Sequence, residues 1–172
     1  IDPIRDVNTV ESELLLADME VAENGRGRLE KILRSDPRAR EKLESDTLER
    51  VIAELQEGIS VRELDFTVEE EKSIRGYQFL TEKPVIYLAN VGENDLTGGC
   101  SGTLELINKF SEVNVIEIAA QIESEILELP QEDRESFLLD LGLQDTGVNR
   151  LVLSGYRLLN LITFYTVANQ KL

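Results

Sequence analysis

The stretch Lys83-Pro84-Val85-Ile86-Tyr87-Leu88-Ala89-Asn90-Val91-Gly92-Glu93 sets the reading of the second half of the chain. A proline opens it, a continuous apolar run follows at 85–89, and a polar turn closes it. Such a run, bounded by punctuation, fits a strand covered on both faces, as strands in parallel sheets are. Asn114-Val115-Ile116-Glu117-Ile118 is a second run of the same kind. Between them, 103–110 has helical spacing. Strand, helix, strand implies α/β layering with a right-handed crossover. Further helices are predicted near 123–128, from Pro130 to about 139, and over 146–159. In the last, Val148, Leu151, Val152 and Tyr156 share one face. Two strands make no stable sheet by themselves, so the remaining strands are expected from sequence outside these 172 residues.

Toward the N-terminus the rhythm becomes helical. Val7, Val10, Leu14, Ala17 and Val21 are spaced 3, 4, 3 and 4 apart, the pattern of an a/d seam. Leu48, Val51, Ile52 and Leu55 form a second stripe. Two antiparallel helices over about 7–33 and 37–57 are predicted, zipped through these faces. Asp36 would cap the second helix, with Pro37 in its first turn. Gly25 and Gly27 weaken the first helix without forbidding it. Gly58 suits the end of the second. Thr67-Val68-Glu69-Glu70 has the form of a capping box that opens a third helix to about residue 80.

Charge narrows the function. The chain carries 34 acids, 18 bases and no histidine, for a net charge of −16. Phosphates would be repelled almost everywhere, which excludes nonspecific nucleic-acid binding by the molecule as a whole. Without histidine there is no His-based triad and no Cys/His zinc site. One cysteine, Cys100, excludes an internal disulfide. No apolar run approaches the roughly 20 residues of a membrane span. One segment departs from the trend. Arg26, Arg28, Lys31, Arg34, Arg38, Arg40 and Lys42 face only Glu30, Asp36 and Glu41, giving a local charge of +4. In the hairpin reading this cluster is the tip. It is either a solvated helix end favoured by the helix dipole or a contact for RNA phosphates. No aromatics interleave it, so base stacking is not indicated. Glu69-Glu70-Glu71 and the trio Glu123, Glu125 and Glu128 read as solvated helix faces, and Cys100 as loop filler.

In open α/β sheets ligands lie beyond the carboxyl ends of the strands. That directs attention to Asn90-Val91-Gly92-Glu93 and to Ala119-Ala120-Gln121-Ile122-Glu123. By itself Asn-x-x-Glu carries no weight, because such residues are ordinary turn punctuation. The wider sequence is more specific. Glu13-Leu14-Leu15-Leu16-Ala17-Asp18, Phe79-Leu80-Thr81-Glu82-Lys83-Pro84, Tyr87-Leu88-Ala89-Asn90-Val91-Gly92-Glu93, Phe137-Leu138-Leu139-Asp140-Leu141-Gly142-Leu143 and Gly155-Tyr156-Arg157-Leu158-Leu159-Asn160-Leu161-Ile162-Thr163-Phe164 occur in order. Together they resemble the YchF family of Obg-like ATPases, within the translation-factor class of P-loop NTPases.

The resemblance implies an ATP-preferring nucleotide site in which Asn-x-x-Glu replaces the Asn-Lys-x-Asp of GTPases. Asn90 and the Val91 backbone would contact the base, Glu93 would stand where the guanine-reading aspartate stands, and Ala120 would lie against the purine. Adenine offers a carboxylate no N1 proton and no N2 amino group. One extra methylene in Glu93 also moves its carboxylate from where guanine would need it, and buried polar groups left unpaired are what give large discrimination. The resemblance also implies cytoplasmic residence and ribosome partners, met by the basic tip with Arg26, Arg28, Lys31, Arg34, Arg38 and Arg40. Residues 1–80 would be a helical hairpin inserted in the nucleotide domain, 81–160 the C-terminal part of that domain, and 161–172 the start of a TGS domain. No Gly-x-x-x-x-Gly-Lys-Ser/Thr occurs, and no glycine precedes a lysine. The phosphate cradle and the residues serving Mg2+ with ATP are therefore expected elsewhere in a longer protein, so that this stretch alone would not hydrolyse ATP. The start at Ile1 and the β-prone run 161–167 suit the same reading. A noncatalytic helical module that binds RNA or protein is the alternative.

Overall fold

The computed structural model describes residues 2–37, 40–96, 100–110 and 115–165. The chain divides into two compact units between Pro84 and Val85. The described part is rich in helix, with one small parallel sheet. No helix among the described residues is long and apolar enough to cross a membrane.

The first unit begins with α1, Pro3–Ser35. Asp2 caps it by accepting from the Arg5 N–H at 3.0 Å, and Pro3 takes the first turn, where its missing N–H costs nothing. At 1.5 Å per residue α1 is roughly 50 Å long. α2, Lys42–Gln56, has less than half as many residues and covers only part of it. Its stripe is the predicted one: Leu48, Val51, Ile52 and Leu55 are all buried. α2 ends in a Schellman motif. Ile59 N–H donates to Glu54 C=O and Gly58 N–H to Leu55 C=O, both at 3.0 Å, with Gly58 at φ +80°.

The buried stripe of α1 differs from the predicted seam. Asp18, Ala22, Gly25 and Leu29 face the core, while Val10, Ala17 and Val21 are exposed, Val10 at 59%. The face is turned by one residue because its centre is polar. Asp18 is 2% exposed and accepts from Leu80 N–H at 2.7 Å, Thr81 N–H at 2.7 Å and the Thr81 hydroxyl at 2.6 Å. Three donors to one carboxylate offset its desolvation. A search for apolar spacing cannot see such a site. Two of the motifs quoted above, ending in Asp18 and opening at Phe79, meet here.

The chain after α1 also departs from expectation. Asp36 closes α1, its N–H donating to Ile32 C=O, and α2 opens only at Lys42. The glycines do not interrupt α1. The ring of Tyr77 lies where a side chain at Gly25 would begin, 2.4 Å from the position of a Cβ. Thr67 and Glu70 form the predicted capping box of α3, Val68–Ile74. α3 stops well before residue 80, passing through a 3-10 turn at Arg75–Tyr77 to Gln78 at φ +52°. Phe79 then enters the core and the Leu80 and Thr81 N–H groups go to Asp18. Arg62 ties the exit of this unit. It donates to Lys83 C=O at 2.9 Å and pairs with Glu11 at 2.5 Å.

The second unit is built on β1, Tyr87–Asn90, and β2, Val115–Ile118. They are parallel, with Tyr87 opposite Val115 and Asn90 opposite Ile118. Asn114, predicted to start β2, lies outside the described residues. α4, Ser101–Phe110, joins the strands. α5, Ala120–Glu128, α6, Gln131–Asp140, and α7, Gly147–Leu158, follow as the periodicity predicts. α5 contributes Ile122 and Ile126 to a core shared with Phe137, Leu138 and Leu141. The face of α7 stays open, with Val148, Val152 and Tyr156 exposed. Residues 161–165 form no strand and are exposed, and 166–167 of the β-prone run lie outside the described residues.

Candidate functional site

The carboxyl ends of both strands converge on one turn. Asn90 is the last residue of β1, and the Val91 N–H extends the ladder by donating to Ile118 C=O at 2.8 Å. β2 runs through Ala119 into α5. Ala119 is the cap position of α5 and its methyl group can accept nothing. The Asn90 side chain supplies the missing acceptor: its Oδ1 takes the Ala120 N–H at 3.1 Å. The structure thus brings Asn90, Val91 and Ala120 together. With Oδ1 engaged, the Asn90 amide still has two N–H donors for an acceptor such as a ring nitrogen. Asn90 and Ala120 are exposed and Val91 is half-buried.

Glu93 stands one turn further on. Gly92 leads into a 3-10 turn at Glu93–Asp95, closed by Asp95 N–H on Gly92 C=O at 3.0 Å and Leu96 N–H on Glu93 C=O at 3.2 Å. Glu93 is exposed, and among the described residues no ion pair holds its carboxylate. Thr97, Gly98 and Gly99 lie outside the described residues.

Glu123, read above as part of a solvated face, instead joins two helices. Glu123, in the first turn of α5, is half-buried. It accepts from Gly147 N–H at 2.5 Å and from Val148 N–H at 3.4 Å, the opening of α7. A carboxylate there also meets the positive end of the helix dipole. Gly147 permits the approach. A Cβ on it would lie 2.9 Å from both Glu123 Oε1 and Ile118 Cγ1. The only sequence signals were a glycine after Thr146 and a glutamate five residues after the end of a strand. Arg150, on α7, donates to Glu117 C=O at 2.8 Å, which docks α7 on β2. Glu125 accepts from Gln121 at 3.2 Å, as a residue on a solvated face would.

The basic cluster is more partitioned than its sequence suggests. Arg34 pairs with Glu30 at 2.9 Å, Arg40 with Glu41 at 3.2 Å, and Lys42 with Asp46. Arg28 turns toward the Tyr77 hydroxyl, which donates to Glu44 at 2.6 Å. Burial, then Glu44, pushes the Tyr77 hydroxyl up to about 12, with Arg28 opposing. Among the described residues no acid pairs with Arg26 or Lys31, and both are exposed. Arg38 lies outside the described residues.

The acidic run at the start of α3 is likewise structural. Glu70 accepts the Thr67 N–H at 2.8 Å and meets Arg50 at 3.1 Å. The Thr67 backbone bond is the main influence holding its carboxyl below the usual range. Among the described residues no group of three or more acidic or thiol side chains is arranged to hold a metal ion.

No family model matches the chain. Over 169 residues it is 37% identical to the ribosome-binding ATPase YchF of Haemophilus ducreyi, an alignment covering 96% of this chain and 46% of that one. The chain is a homologue of the YchF proteins. The ribosome-binding ATPase YchF of Bacillus subtilis is 35% identical over 182 residues, covering 99% of this chain and 48% of its own. The structure of the Schizosaccharomyces pombe YchF GTPase superposes with a TM-score of 0.82 at 27% identity, over 93% of this chain and 45% of that one. The chain therefore spans about half the length of the YchF relatives it matches.

Proposed function

We propose that this chain supplies the purine-binding turn and a helical arm of a cytoplasmic, ribosome-associated ATPase. Asn90, the Val91 backbone and Ala120 contact the base, and Glu93 disfavours guanine. The observation that carries the reading is the Asn90–Ala120 hydrogen bond. It joins the ends of two adjacent parallel strands at the position where open α/β sheets take ligands. The two-stranded sheet is then part of a larger P-loop NTPase sheet, and α1 with α2 is a coiled-coil hairpin whose basic end, including Arg26, Arg28, Lys31, Arg34, Arg38 and Arg40, meets ribosomal RNA. ATP arrives with Mg2+. The phosphate-binding half of the nucleotide domain and a TGS domain lie elsewhere in the protein.

Competition on the full-length gene product tests this. ATP should displace a bound fluorescent ATP analogue at lower concentration than GTP, and Asn90→Ala should weaken both. Equal displacement by GTP would remove the role given to Glu93. If no purine nucleotide bound at all, the chain would instead be a helical module for RNA or protein.

A further inference from the structure

The support behind the base turn carries one step more. α5 is held at two places in its first turn. Asn90 takes the Ala120 N–H, and Glu123, three residues on, takes the Gly147 and Val148 N–H groups. Gly147 packs against Ile118, the residue opposite Asn90 in the sheet register. The last residue pair of the sheet, the start of α5 and the start of α7 thus form one closed circuit. A carboxylate is a strong acceptor for paired N–H groups at a helix start. It fixes the roll of α5, and with it the direction of the N–H groups at 119–121.

We infer that Glu123 is a positioning residue for the base-binding turn, acting through the N-terminus of α7 without touching nucleotide. The inference rests on the reading of Asn90 and Ala120 as base contacts. Loss of the carboxylate frees α5 to roll, and a misplacement of a fraction of an ångström at a contact costs affinity. The effect falls on the purine and spares the phosphates.

The test measures displacement of a fluorescent ATP analogue from the full-length gene product, with Mg2+, by ATP and separately by inorganic tripolyphosphate. Glu123→Ala should weaken ATP about tenfold and leave tripolyphosphate unchanged. Glu123→Gln, which keeps an oxygen for the Gly147 N–H, should retain most of the ATP affinity. Gly147→Ala, whose Cβ would meet Ile118 as well as Glu123, should weaken ATP at least as much as Glu123→Ala. Asn90→Ala serves as reference. If Asn90→Ala weakens ATP and Glu123→Ala does not, the positioning role is overturned while the base turn stands. If neither matters, the base turn itself is wrong and this inference goes with it. A parallel loss of ATP and tripolyphosphate would mean general damage to the fold and would also overturn it.

Discussion

Thr81 gives Asp18 both its backbone N–H and its hydroxyl, at 2.7 and 2.6 Å, across a separation of 63 residues. The same hydroxyl accepts the Val61 N–H at 3.1 Å. Asp18→Ala would strand the buried Thr81 N–H and the part-buried Leu80 N–H and leave the hydroxyl without its acceptor. It should cost about 3–5 kcal/mol, at 1–3 kcal/mol for each group left unpaired. Thr81→Ser keeps the hydroxyl but loses a buried methyl and should cost only about 1 kcal/mol, with Thr81→Val intermediate. Urea unfolding, compared at midpoint and slope, checks the order.

Two glycines of α1 should respond oppositely to alanine. At Gly25 a Cβ would meet the Tyr77 ring, so Gly25→Ala should destabilise by about 1–3 kcal/mol despite the better helix former. Gly27 has open space around it, so Gly27→Ala should stabilise by about 0.5–1 kcal/mol. Thermal midpoints of the two variants should move in opposite directions.

Stability should fall at high pH through Tyr77. Its hydroxyl is held up near 12 in the folded state, above the ordinary 10, so the folded state keeps a proton that the unfolded state releases. The contribution is whole below pH 10 and lost as pH rises through 12. In Tyr77→Phe this part of the pH profile should flatten, as read by urea titration between pH 9 and 12.

Base preference should follow the turn after β1. Val91→Lys with Glu93→Asp restores the guanine-type pattern. It should raise GTP affinity relative to ATP by at least about tenfold, because an acceptor placed to pair with guanine's N1 and N2 donors discriminates strongly. Competition binding with both nucleotides reads the ratio.

The basic end of α1 should divide into cations that meet RNA and cations that serve the fold. Arg26→Glu with Lys31→Glu should weaken ribosome co-sedimentation and lower the slope of log affinity against log salt by about 2. Arg28→Glu should also weaken the fold, since Arg28 lies beside Tyr77 and the new carboxylate would face Glu44. Binding that ignores salt in every variant would exclude a phosphate contact.

Periodicity recovered what apolar residues alone decide. The buried stripe of α2 is apolar apart from Thr47, whose hydroxyl is met by its own helix, and Gly58 and Thr67 mark their helix ends by chemistry that acts within a few residues. The face of α1 escaped because Asp18 and Gly25 define it, one through donors some 60 residues away and the other through a ring that needs its missing side chain. Asp36-Pro37 has the local form of a helix start, yet its N–H completes the preceding helix. At the candidate site, the strand ends directed attention to Asn90 and to the turn containing Ala120, and the family resemblance gave them their roles. The role of Glu123 was not legible, because its partners lie on another helix and carry no side-chain signature.

The link between Asp18 and Thr81 also bears on the order of events during folding. α1 and α2 are neighbours along the chain and can meet early, whereas this contact must close a long loop over α2 and α3. It belongs after the main barrier. Weakening it should leave the folding rate nearly unchanged and speed unfolding. Asp18 then governs how long the first unit stays closed once formed, more than how fast it closes.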